Sequence, residues 1–382
     1  MKYDVSILCD PRFTGGTSAA LETDVLAFNR AGLKTAVIPL SSNGFFLEEG
    51  PWHSAYGEFL RLANVDVITN ANSVTSEVAF FHHPGIFRAP VSNPLPVHAK
   101  KTFIVTHQSL FKGDGTMEYD PFAIERNIRR QFGVRPVWAP ISGLARSHFA
   151  SVSPFLKVSE EDWPNTFNTD LWTPRRPKLR DAGLLVIGRH GRPHPDKWPN
   201  RKNLVESSLP ASPATKIRVM GAPDEHLRAL SVIQDEWEVL PFNSEPVTEF
   251  LDSLDVFSYF HSPTWVESFG RTIAEAMLMG VCCILPVPLK QTFGPHAHYC
   301  TEEEVPEVIK NIRANLERER EAAALAQAWV AESFNTASIV PRFNRFSKSN
   351  GFRFKHGSRA VPPIQAARRL LGIKRRNRAK QL

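Results

Sequence analysis

The feature that most constrains the fold is a series of short apolar runs separated by helical or polar segments. In the first half of the chain these runs are VSILC (5–9), TAVIPL (35–40), VDVIT (65–69), VAFFH (78–82), FIVTH (103–107) and VWAP (137–140). Short apolar runs of this kind are typical of strands buried on both faces. Their alternation with helical patterns such as Ala19 to Arg30 predicts a parallel sheet flanked by helices.

The same alternation starts again in the second half. Residues 159–183 carry prolines, asparagines and charges instead of periodic apolar positions, which indicates a linker. Five further apolar runs follow: LLVIG (184–188), IRVMG (217–221), WEVLP (237–241), DVFSYF (255–260) and VCCILP (281–286). A helical run from Glu303 to Val330 ends this half. The fold class predicted is α/β, with two doubly wound Rossmann-like domains facing a central cleft.

Domain boundaries follow from these patterns. We expect an N-terminal domain over residues 1–165 and a second domain over residues 166–335. An amphipathic helix over residues 336–348 is expected to pack back on the first domain, and residues 349–382 form a basic tail.

The net charge of +7 belongs to this tail. No acidic residue follows Glu332, whereas 13 lysines and arginines lie from Arg342 to Lys380. The rest of the chain therefore has 33 basic against 39 acidic residues. The sequence pI of about 9.3 thus gives no reason to expect specific nucleic acid binding by the folded body.

The expected location is the cytoplasm. The first residues, MKYDVSILCD, lack the apolar core of a signal peptide, and no apolar segment approaches the length of a bilayer. The four cysteines show no paired metal spacing, and Cys282 and Cys283 are adjacent in an apparently buried strand. This arrangement argues against a disulfide framework or a zinc site.

Two glutamates flank the start of a predicted helix in HSPTWVESFGRTIAEAMLMG, residues 261–280. Good helix formers run from Thr272 to Met279, so Glu267 is expected just outside the helix and Glu275 inside it. A helix N-terminus favours phosphate, and carboxylates accept hydrogen bonds from hydroxyl groups. Glu267 is therefore a candidate ligand of a hexose and Glu275 of a ribose. The alternative is an ordinary surface helix with two solvated acids.

Five segments together resemble one enzyme family. They are FTGGTSAAL (13–21), VTHQ (105–108), PNTFNTDLWTP (164–174), IGRHGRPHPDKWP (187–199) and ESFGRTIAEAMLMG (267–280). From about residue 1 to residue 346 the chain resembles retaining glycosyltransferases of family 4. The resemblance implies the GT-B fold, in which two Rossmann-like domains face each other.

The resemblance assigns donor contacts in the second domain. Arg189 and Lys197 match the basic pair that neutralises a leaving nucleoside diphosphate. Lys202 could match the family's lysine instead of Lys197, because the loop is longer than the simplest family pattern. The alternative for both residues is a solvated loop without a ligand. Glu267 matches the glutamate that contacts the donor sugar, and Glu275 the one that binds ribose. The backbone around the phosphate corresponds to Ser268, Phe269 and Gly270, with Ser268 in place of the more usual glycine.

Three further assignments fall in the first domain. Gly15 and Gly16 follow the first strand, where a missing side chain permits close approach of a phosphate or acceptor; a tight turn without a ligand is the alternative. His107 matches the family's histidine beside the reacting sugar, and a histidine closing a core strand is its alternative. His82 and His83 are candidates for the acceptor side or for capping a strand.

The implied reaction moves a hexose from a nucleotide-diphosphate sugar to a hydroxyl of a glycan or lipid-linked acceptor, with retention of the anomeric configuration. Such reactions build surface polysaccharides and glycolipids. No D-x-D triad stands at a strand end, so neither a metal nor a cofactor is expected. The alternatives are a GT-B sugar-nucleotide epimerase and a noncatalytic scaffold that binds nucleotide-sugars.

The basic tail, residues 350–382, predicts peripheral attachment to the inner face of an anionic membrane. Ile364, Ala367, Leu370 and Leu371 are expected on one helical face. Seven basic residues lie from Arg368 to Lys380, each contributing about 1 kcal/mol near such a surface. A disordered solubilising tail and nonspecific adhesion to nucleic acid are the alternatives.

Overall fold

The computed structural model describes residues 2–379 except 47, 153, 182, 233–234 and 354–361. The chain divides into two compact units. The first consists of Met1–Phe167 and Thr336–Leu382, and the second of Asn168–Asn335.

The first unit contains a six-stranded sheet. Its strands are β1 (Lys2–Cys9), β2 (Thr35–Pro39), β3 (Val65–Val67), β4 (Val74–His82), β5 (Val97–Thr106) and β6 (Val137–Pro140). The strand order is β3-β2-β1-β4-β5-β6, and all neighbouring pairs are parallel. Because the order reverses between β1 and β4, this is a doubly wound sheet, which confirms the predicted fold class.

Three helices of the first unit connect these strands, and a fourth follows β6. They are α1 (Gly16–Arg30), α2 (Ala55–Phe59), α3 (Pro121–Phe132) and α4 (Gly143–Ala150). Helix α3 shows how local sequence sets its ends. The Asp120 side chain accepts a hydrogen bond from the Phe122 amide at 2.9 Å, Pro121 occupies the first turn, and Gly133 ends the helix with a φ of 72°.

The second unit contains another parallel six-stranded sheet. Its strands are β7 (Leu185–His190), β8 (Thr215–Met220), β9 (Trp237–Leu240), β10 (Val256–Ser258), β11 (Cys282–Pro286) and β12 (His298–Cys300), in the order β12-β11-β10-β7-β8-β9. The first five strands coincide with the predicted apolar runs. The sequence does not predict β12, because its three residues, His298–Cys300, do not belong to an apolar run.

The helices of the second unit are α5 (Lys202–Ser208), α6 (Asp224–Ala229), α7 (Val247–Asp252), α8 (Arg271–Leu278), α9 (Lys290–Phe293), α10 (Val305–Ala314) and α11 (Leu316–Ser333). The prediction of one helical run from Glu303 to Val330 is wrong. The run is broken at Asn315, whose φ of −134° is not helical. Its side-chain amide donates to the Asn311 carbonyl at 2.9 Å, a local contact that competes with helix continuation.

Helix α12 (Ile339–Phe346) belongs to the first unit and packs through aromatic side chains. Phe343 lies 5.5 Å from Phe28 of α1, and Phe346 lies 4.7 Å from Phe103 of β5, measured between ring centroids. Apolar positions on one side of this short amphipathic helix thus join the core of the first unit.

Helix α13 (Pro363–Ala379) lies in the tail; residues 354–361 and 380–382, Lys380 among them, lie outside the described residues. One residue of the predicted apolar face is misplaced: Leu370 is buried together with Ala366 and Ile373, whereas Ile364 and Leu371 are 71 % and 61 % exposed. The buried stripe follows the helical spacing i, i+4, i+7. Within the described chain, none of the helices has both the length and the apolar character needed to cross a bilayer.

Candidate functional site

The two glutamates lie at the carboxyl edge of the second sheet. Strand β10 ends at Ser258, and α8 begins at Arg271 after a loop. Glu267 is therefore in the loop and Glu275 in the helix, as the sequence predicts. Gly270, the residue before α8, has a φ of 87°, and a Cβ there would lie 2.8 Å from the side chain of Ile273. This turn into the helix thus requires glycine.

Glu267 is held by two polar side chains. The Tyr259 hydroxyl donates a hydrogen bond to Glu267 Oε2, and Lys197 Nζ lies 3.4 Å from the same oxygen. Burial alone raises the pKa of Glu267, but the Lys197 charge and the Tyr259 hydrogen bond bring the pKa below its ordinary value. Glu267 therefore stays ionised near neutral pH despite its burial.

Arg189 lies beside this pair near the end of β7 and is only 3 % exposed. Its Nη1 and Nη2 donate to the carbonyls of Phe260 and Lys197, at 2.8 and 2.6 Å. The guanidinium carbon lies 4.1 Å from the centroid of Trp198 and 4.8 Å from that of Tyr259. Burial lowers the pKa of Arg189 to about 10, so the side chain remains a cation.

The structure separates the two lysines that compete in the sequence. Lys197 ends a short 3-10 turn and reaches Glu267, with its Nζ also 5.7 Å from the centroid of Trp265. Lys202 begins α5, is 44 % exposed and lies 3.7 Å from Glu206. Lys197 rather than Lys202 therefore belongs to the cluster around Glu267.

Glu275 has different partners. Its Oε1 lies 3.2 Å from Nε of Arg271, and its Oε2 lies 3.5 Å from Nε2 of His190. Burial raises the pKa of Glu275 to about 7, even though Arg271 and Lys197 oppose the shift. Burial, assisted by Arg189 and Lys197, lowers the pKa of His190 to about 3. Near pH 7 the contact therefore pairs a neutral imidazole with a half-ionised carboxyl group, not two full charges.

The backbone before α8 borders this edge. The Phe269 side chain is buried against Phe293 and Phe334, at centroid distances of 6.1 and 5.0 Å, so it belongs to the core. Ser268 is 8 % exposed. A small cavity at the ends of β7 and β8 is lined by ten residues, among them Arg189, Lys197, Tyr259 and Thr272.

In the first unit, the corresponding edge carries neutral histidines. His107 follows β5, and its Nε2 lies 3.0 Å from Nδ1 of His82, the last residue of β4. Burial lowers the pKa of His107 to about 4 and holds that of His82 well below its ordinary value. Both rings are neutral near pH 7, so one ring nitrogen can donate to the other.

Aromatic rings continue this edge toward Gly15 and Gly16. The His83 ring is stacked on the His107 ring, with 6.2 Å between the ring centroids, and its centroid lies 4.3 Å from that of Phe13. Gly15 has a φ of 74° and precedes α1, whereas a Cβ added to Gly16 would meet no atom within 4 Å. Backbone geometry thus requires glycine at Gly15, while Gly16 leaves open space at the helix start.

The predicted residues form two groups, one in each unit. Gly15, Gly16 and His107 lie in the first unit, and the others in the second. Arg189, Lys197 and Glu267 form a continuous chain of contacts in the second unit. The side chains that complete this cluster and that the sequence does not indicate are Tyr259, Trp198, His190 and Arg271. Two of them adjoin predicted residues, since His190 follows Arg189 and Trp198 follows Lys197.

Similar solved structures identify the fold. No protein-family model matches the chain, and a comparison with curated proteins finds no match. The structure is similar to HepE of Anabaena in complex with UDP-glucose, with 14 % identity, coverage of 90 % of this chain and 98 % of that chain, and a TM-score of 0.61. It is also similar to AviGT4, a glycosyltransferase involved in avilamycin A biosynthesis, at 13 % identity, 91 % and 97 % coverage, and a TM-score of 0.53.

A third similar structure is TarM of S. aureus, in a complex that contains UDP. The match has 14 % identity, a TM-score of 0.52, and coverage of 73 % of this chain and 56 % of that chain. At these identities the similarity establishes the fold and nothing further. The chain therefore has the GT-B fold, as expected from the sequence.

Proposed function

We propose that this protein is a glycosyltransferase that uses a nucleotide-diphosphate sugar as donor. The observation that carries the proposal is the ionised Glu267, fixed by Tyr259 and Lys197 beside the start of α8. The UDP-glucose in one HepE complex, the UDP and glucose in another, and the UDP in the TarM complex support a uridine diphosphate hexose as the first donor to test.

Glu267 is suited to hold the hexose. Both of its contacts use Oε2, and in the described part of the chain neither hydrogen bonds nor ion pairs use Oε1. Oε1 is therefore the oxygen that accepts hydrogen bonds from sugar hydroxyl groups. Lys197 and Tyr259 keep the carboxylate ionised and oriented, so that little reorganisation is needed when the sugar binds.

The diphosphate is assigned to the start of α8 and to the nearby cations. Backbone amides from Ser268 to Gly270 and the positive end of the helix dipole favour a phosphate at this position. Lys197 and Arg189 stabilise the negative charge that develops as the glycosidic bond breaks. Arg189 has five N–H donors, and two of them hold backbone carbonyls. Glu275 is assigned to the ribose hydroxyl groups.

The reaction is proposed to retain the anomeric configuration. The acceptor hydroxyl attacks the anomeric carbon on the face that the diphosphate leaves, and the departing phosphate takes the acceptor proton. The new bond joins the acceptor oxygen to the anomeric carbon, and the nucleoside diphosphate leaves with the bonding electrons. The sequence resemblance supports this route over a covalent glycosyl-enzyme.

Residues of the first unit are proposed to contact the sugar and the acceptor. The neutral His107 offers a hydrogen bond to a hexose hydroxyl, and Gly15 and Gly16 allow a ligand to approach the backbone. A glycan or a lipid-linked sugar is the proposed acceptor, in surface polysaccharide or glycolipid biosynthesis.

The donor site is proposed to work without a metal ion or other cofactor. Its cations, Arg189 and Lys197, take the place of a metal at the diphosphate. After treatment with EDTA, addition of Mg²⁺ or Mn²⁺ is expected to leave the transfer rate unchanged. A rate that depends on either ion would contradict this part of the proposal.

Product analysis tests the proposed activity. The protein is incubated with a panel of nucleotide-sugars and glycan or lipid-linked acceptors, and the products are identified by NMR and mass spectrometry. A transferase gives a new glycoside and an equivalent amount of nucleoside diphosphate. An epimerised sugar without transfer supports the epimerase, and binding without turnover supports the scaffold; either outcome overturns the proposal.

We also propose that α13 attaches the protein peripherally to the cytoplasmic face of an anionic membrane. Ile364 and Leu371 are exposed and lie seven positions apart, exposed Arg368 and Arg375 follow each of them by four positions, and Arg369 is exposed elsewhere on the helix. Exposed apolar and basic side chains on one helix suit the boundary between headgroups and acyl chains. Lys374 also lies 3.3 Å from Asp120, which connects α13 to α3.

Charge reversal tests this attachment without disturbing the buried stripe of α13. The variant R368E/R369E/R375E is compared with the wild type in sedimentation with phosphatidylserine vesicles and with neutral phosphatidylcholine vesicles. Three basic residues at about 1 kcal/mol each predict a loss of binding of roughly 100-fold. Equal pelleting of both proteins with anionic vesicles overturns the attachment. The variant K310E, which changes an exposed lysine of α10, is the control.

A further inference from the structure

A second cluster in the second unit lies at the opposite edge of its sheet. Cys282 is the first residue of β11, His298 the first residue of β12, and Glu319 lies in the first turn of α11. Strands β11 and β12 are parallel neighbours in which Ile284 pairs with His298. Because Cys282 precedes Ile284 by two residues, its side chain is on the same face as that of His298.

The cluster contains a soft, a borderline and a hard donor atom. The Cys282 Sγ, a His298 ring nitrogen and a Glu319 carboxylate oxygen all lie within 4.8 Å of one another. His298 Nε2 and Glu319 Oε2 are 2.7 Å apart. In a tetrahedral zinc site, bonds of about 2.0–2.3 Å place neighbouring donors roughly 3.3–3.8 Å apart, so shifts of about 1 Å bring all three to one ion.

We propose that Cys282, His298 and Glu319 bind one Zn²⁺ ion. Sulfur, imidazole nitrogen and carboxylate oxygen form a donor set that suits zinc rather than Mg²⁺ or Ca²⁺, which prefer oxygen ligands. The His298 side chain is 33 % exposed, so solvent has access and supplies water as the fourth ligand. The ion connects β11, β12 and α11.

The surroundings of the thiol favour a cation at this place. The Glu319 side chain is only 7 % exposed, so its charge has little access to water. The Cys282 side chain is also buried, and its sulfur faces this carboxylate. On binding, the thiol proton passes to solvent and the thiolate, the imidazole lone pair and the carboxylate bind the ion, which relieves the repulsion between the two anions.

Cobalt substitution tests the site through the thiolate. The full chain is treated with EDTA, dialysed and titrated with Co²⁺, and the near-ultraviolet charge-transfer band between thiolate and cobalt is measured. The matched control is Cys283→Ala, because Cys283 is adjacent and buried, and its Sγ contacts the Val281 carbonyl instead. We expect one Co²⁺ per chain and the band in the wild type and in Cys283→Ala, but no band in Cys282→Ala.

A second variant keeps the test decisive if Cys282→Ala does not fold. His298→Gln changes a partly exposed ligand, and we expect it to weaken Zn²⁺ binding by at least about 100-fold, because even outer-shell partners contribute about 10- to 100-fold. Zn²⁺ should also raise the melting temperature of the wild type but not of His298→Gln. A wild type without the band, a band that persists in Cys282→Ala, or equal Zn²⁺ affinity of the wild type and His298→Gln overturns the proposal. None of these readouts depends on sugar transfer.

Discussion

The carboxyl edges of the two sheets differ in charge: side chains at one edge are ionised, and the histidines at the other are neutral. The edge of the second sheet holds ionised groups, of which Glu267, Lys197 and Arg189 are in direct contact. The edge of the first sheet holds His82 and His107, two histidines kept neutral by burial. Ionic groups suit a charged diphosphate, whereas neutral rings suit hydroxyl groups. This difference fits the proposal that the second unit recognises the donor phosphate and the first unit the sugar or the acceptor.

The largest effect on the transfer rate is expected at Glu267. This residue belongs to the ionic edge, the carboxyl edge of the second sheet with Glu267, Lys197 and Arg189. Glu267→Gln keeps the shape of the side chain but removes its charge, and transfer should fall by about 100- to 1,000-fold, the usual loss when a preorganised electrostatic group is removed. Initial rates at saturating donor measure this loss. Glu249→Gln changes an exposed glutamate of α7 and should keep the wild-type rate. An undiminished rate in Glu267→Gln would show that transfer does not depend on the charge of Glu267, which would contradict the role proposed for the ionic edge.

Buried carboxyl groups in the two units should have similar effects on stability and different effects on function. Burial raises the pKa of Glu275 from 4.5 to about 7, and that of Asp24, which accepts a hydrogen bond from Trp163 in the first unit, from 3.8 to about 7. A raised pKa stabilises the folded state at low pH, and this stabilisation is lost as the pH rises from about 4 to above 7. For Glu275 the difference corresponds to about 3 kcal/mol.

Urea unfolding at pH 5 and pH 8 tests this point. Glu275→Gln and Asp24→Asn should each lose less stability than the wild type between these two pH values. Only Glu275→Gln should also weaken donor binding, because Asp24 lies in the core of the first unit. A variant with the same pH dependence of the unfolding free energy as the wild type would show that its carboxyl group is not buried in the way described.

A smaller loss is expected when Lys197 is replaced. Lys197→Met removes the cation near Glu267 while keeping an unbranched side chain, and transfer should fall by about 10- to 100-fold, as expected for a charge-assisted hydrogen bond. Lys202→Met is the matched control, since Lys202 lies near Glu206 and should leave the rate unchanged. If the rate fell in Lys202→Met and not in Lys197→Met, Lys202 would be the lysine that contacts the diphosphate.

The smallest effect on the transfer rate should come from the carboxyl edge of the first sheet, where His82 and His107 are neutral. His107→Gln retains a hydrogen-bonding group, so transfer should fall by only about 2- to 10-fold, the value of one neutral hydrogen bond. Burial lowers the pKa of His107 to about 4, so its protonation should produce no change in rate between pH 5.5 and 8. If the transfer rate of the wild type changed between pH 5.5 and 8 and that of His107→Gln did not, His107 would become charged in this range, contrary to the expectation that it stays neutral.

Much of the fold follows from the sequence because buried parallel strands leave continuous apolar runs. All eleven predicted runs coincide with strands, while β12, His298–Cys300, lies outside any apolar run. The break at Asn315 depends on a local side-chain contact that periodicity does not show. Periodicity also placed Leu370 of α13 on the face of Ile364 and Leu371, whereas Leu370 is buried together with Ala366 and Ile373.

The site was only partly accessible from the sequence. The glutamates, Arg189 and Lys197 lie in segments whose order resembles a known family, so they could be predicted as candidates. The Tyr259–Glu267 hydrogen bond and the stacking of Arg189 on Trp198 join residues only eight and nine positions apart, but loops, which have no regular spacing, bring them together. Cys282, His298 and Glu319 show no metal spacing, because β11, β12 and α11 bring them together only in the folded chain.

Amide hydrogen exchange with and without a nucleotide-sugar tests most directly whether the donor binds at the ionic edge. It requires no knowledge of the acceptor. With UDP-glucose, or another donor selected from a panel by its effect on the melting temperature, protection should increase in residues 187–199 and 265–278. The same ligand should give little added protection in Lys197→Met at equal concentration. Protection confined to other segments, or equal protection in Lys197→Met, would contradict the assignment of the donor to Glu267, Lys197 and the start of α8.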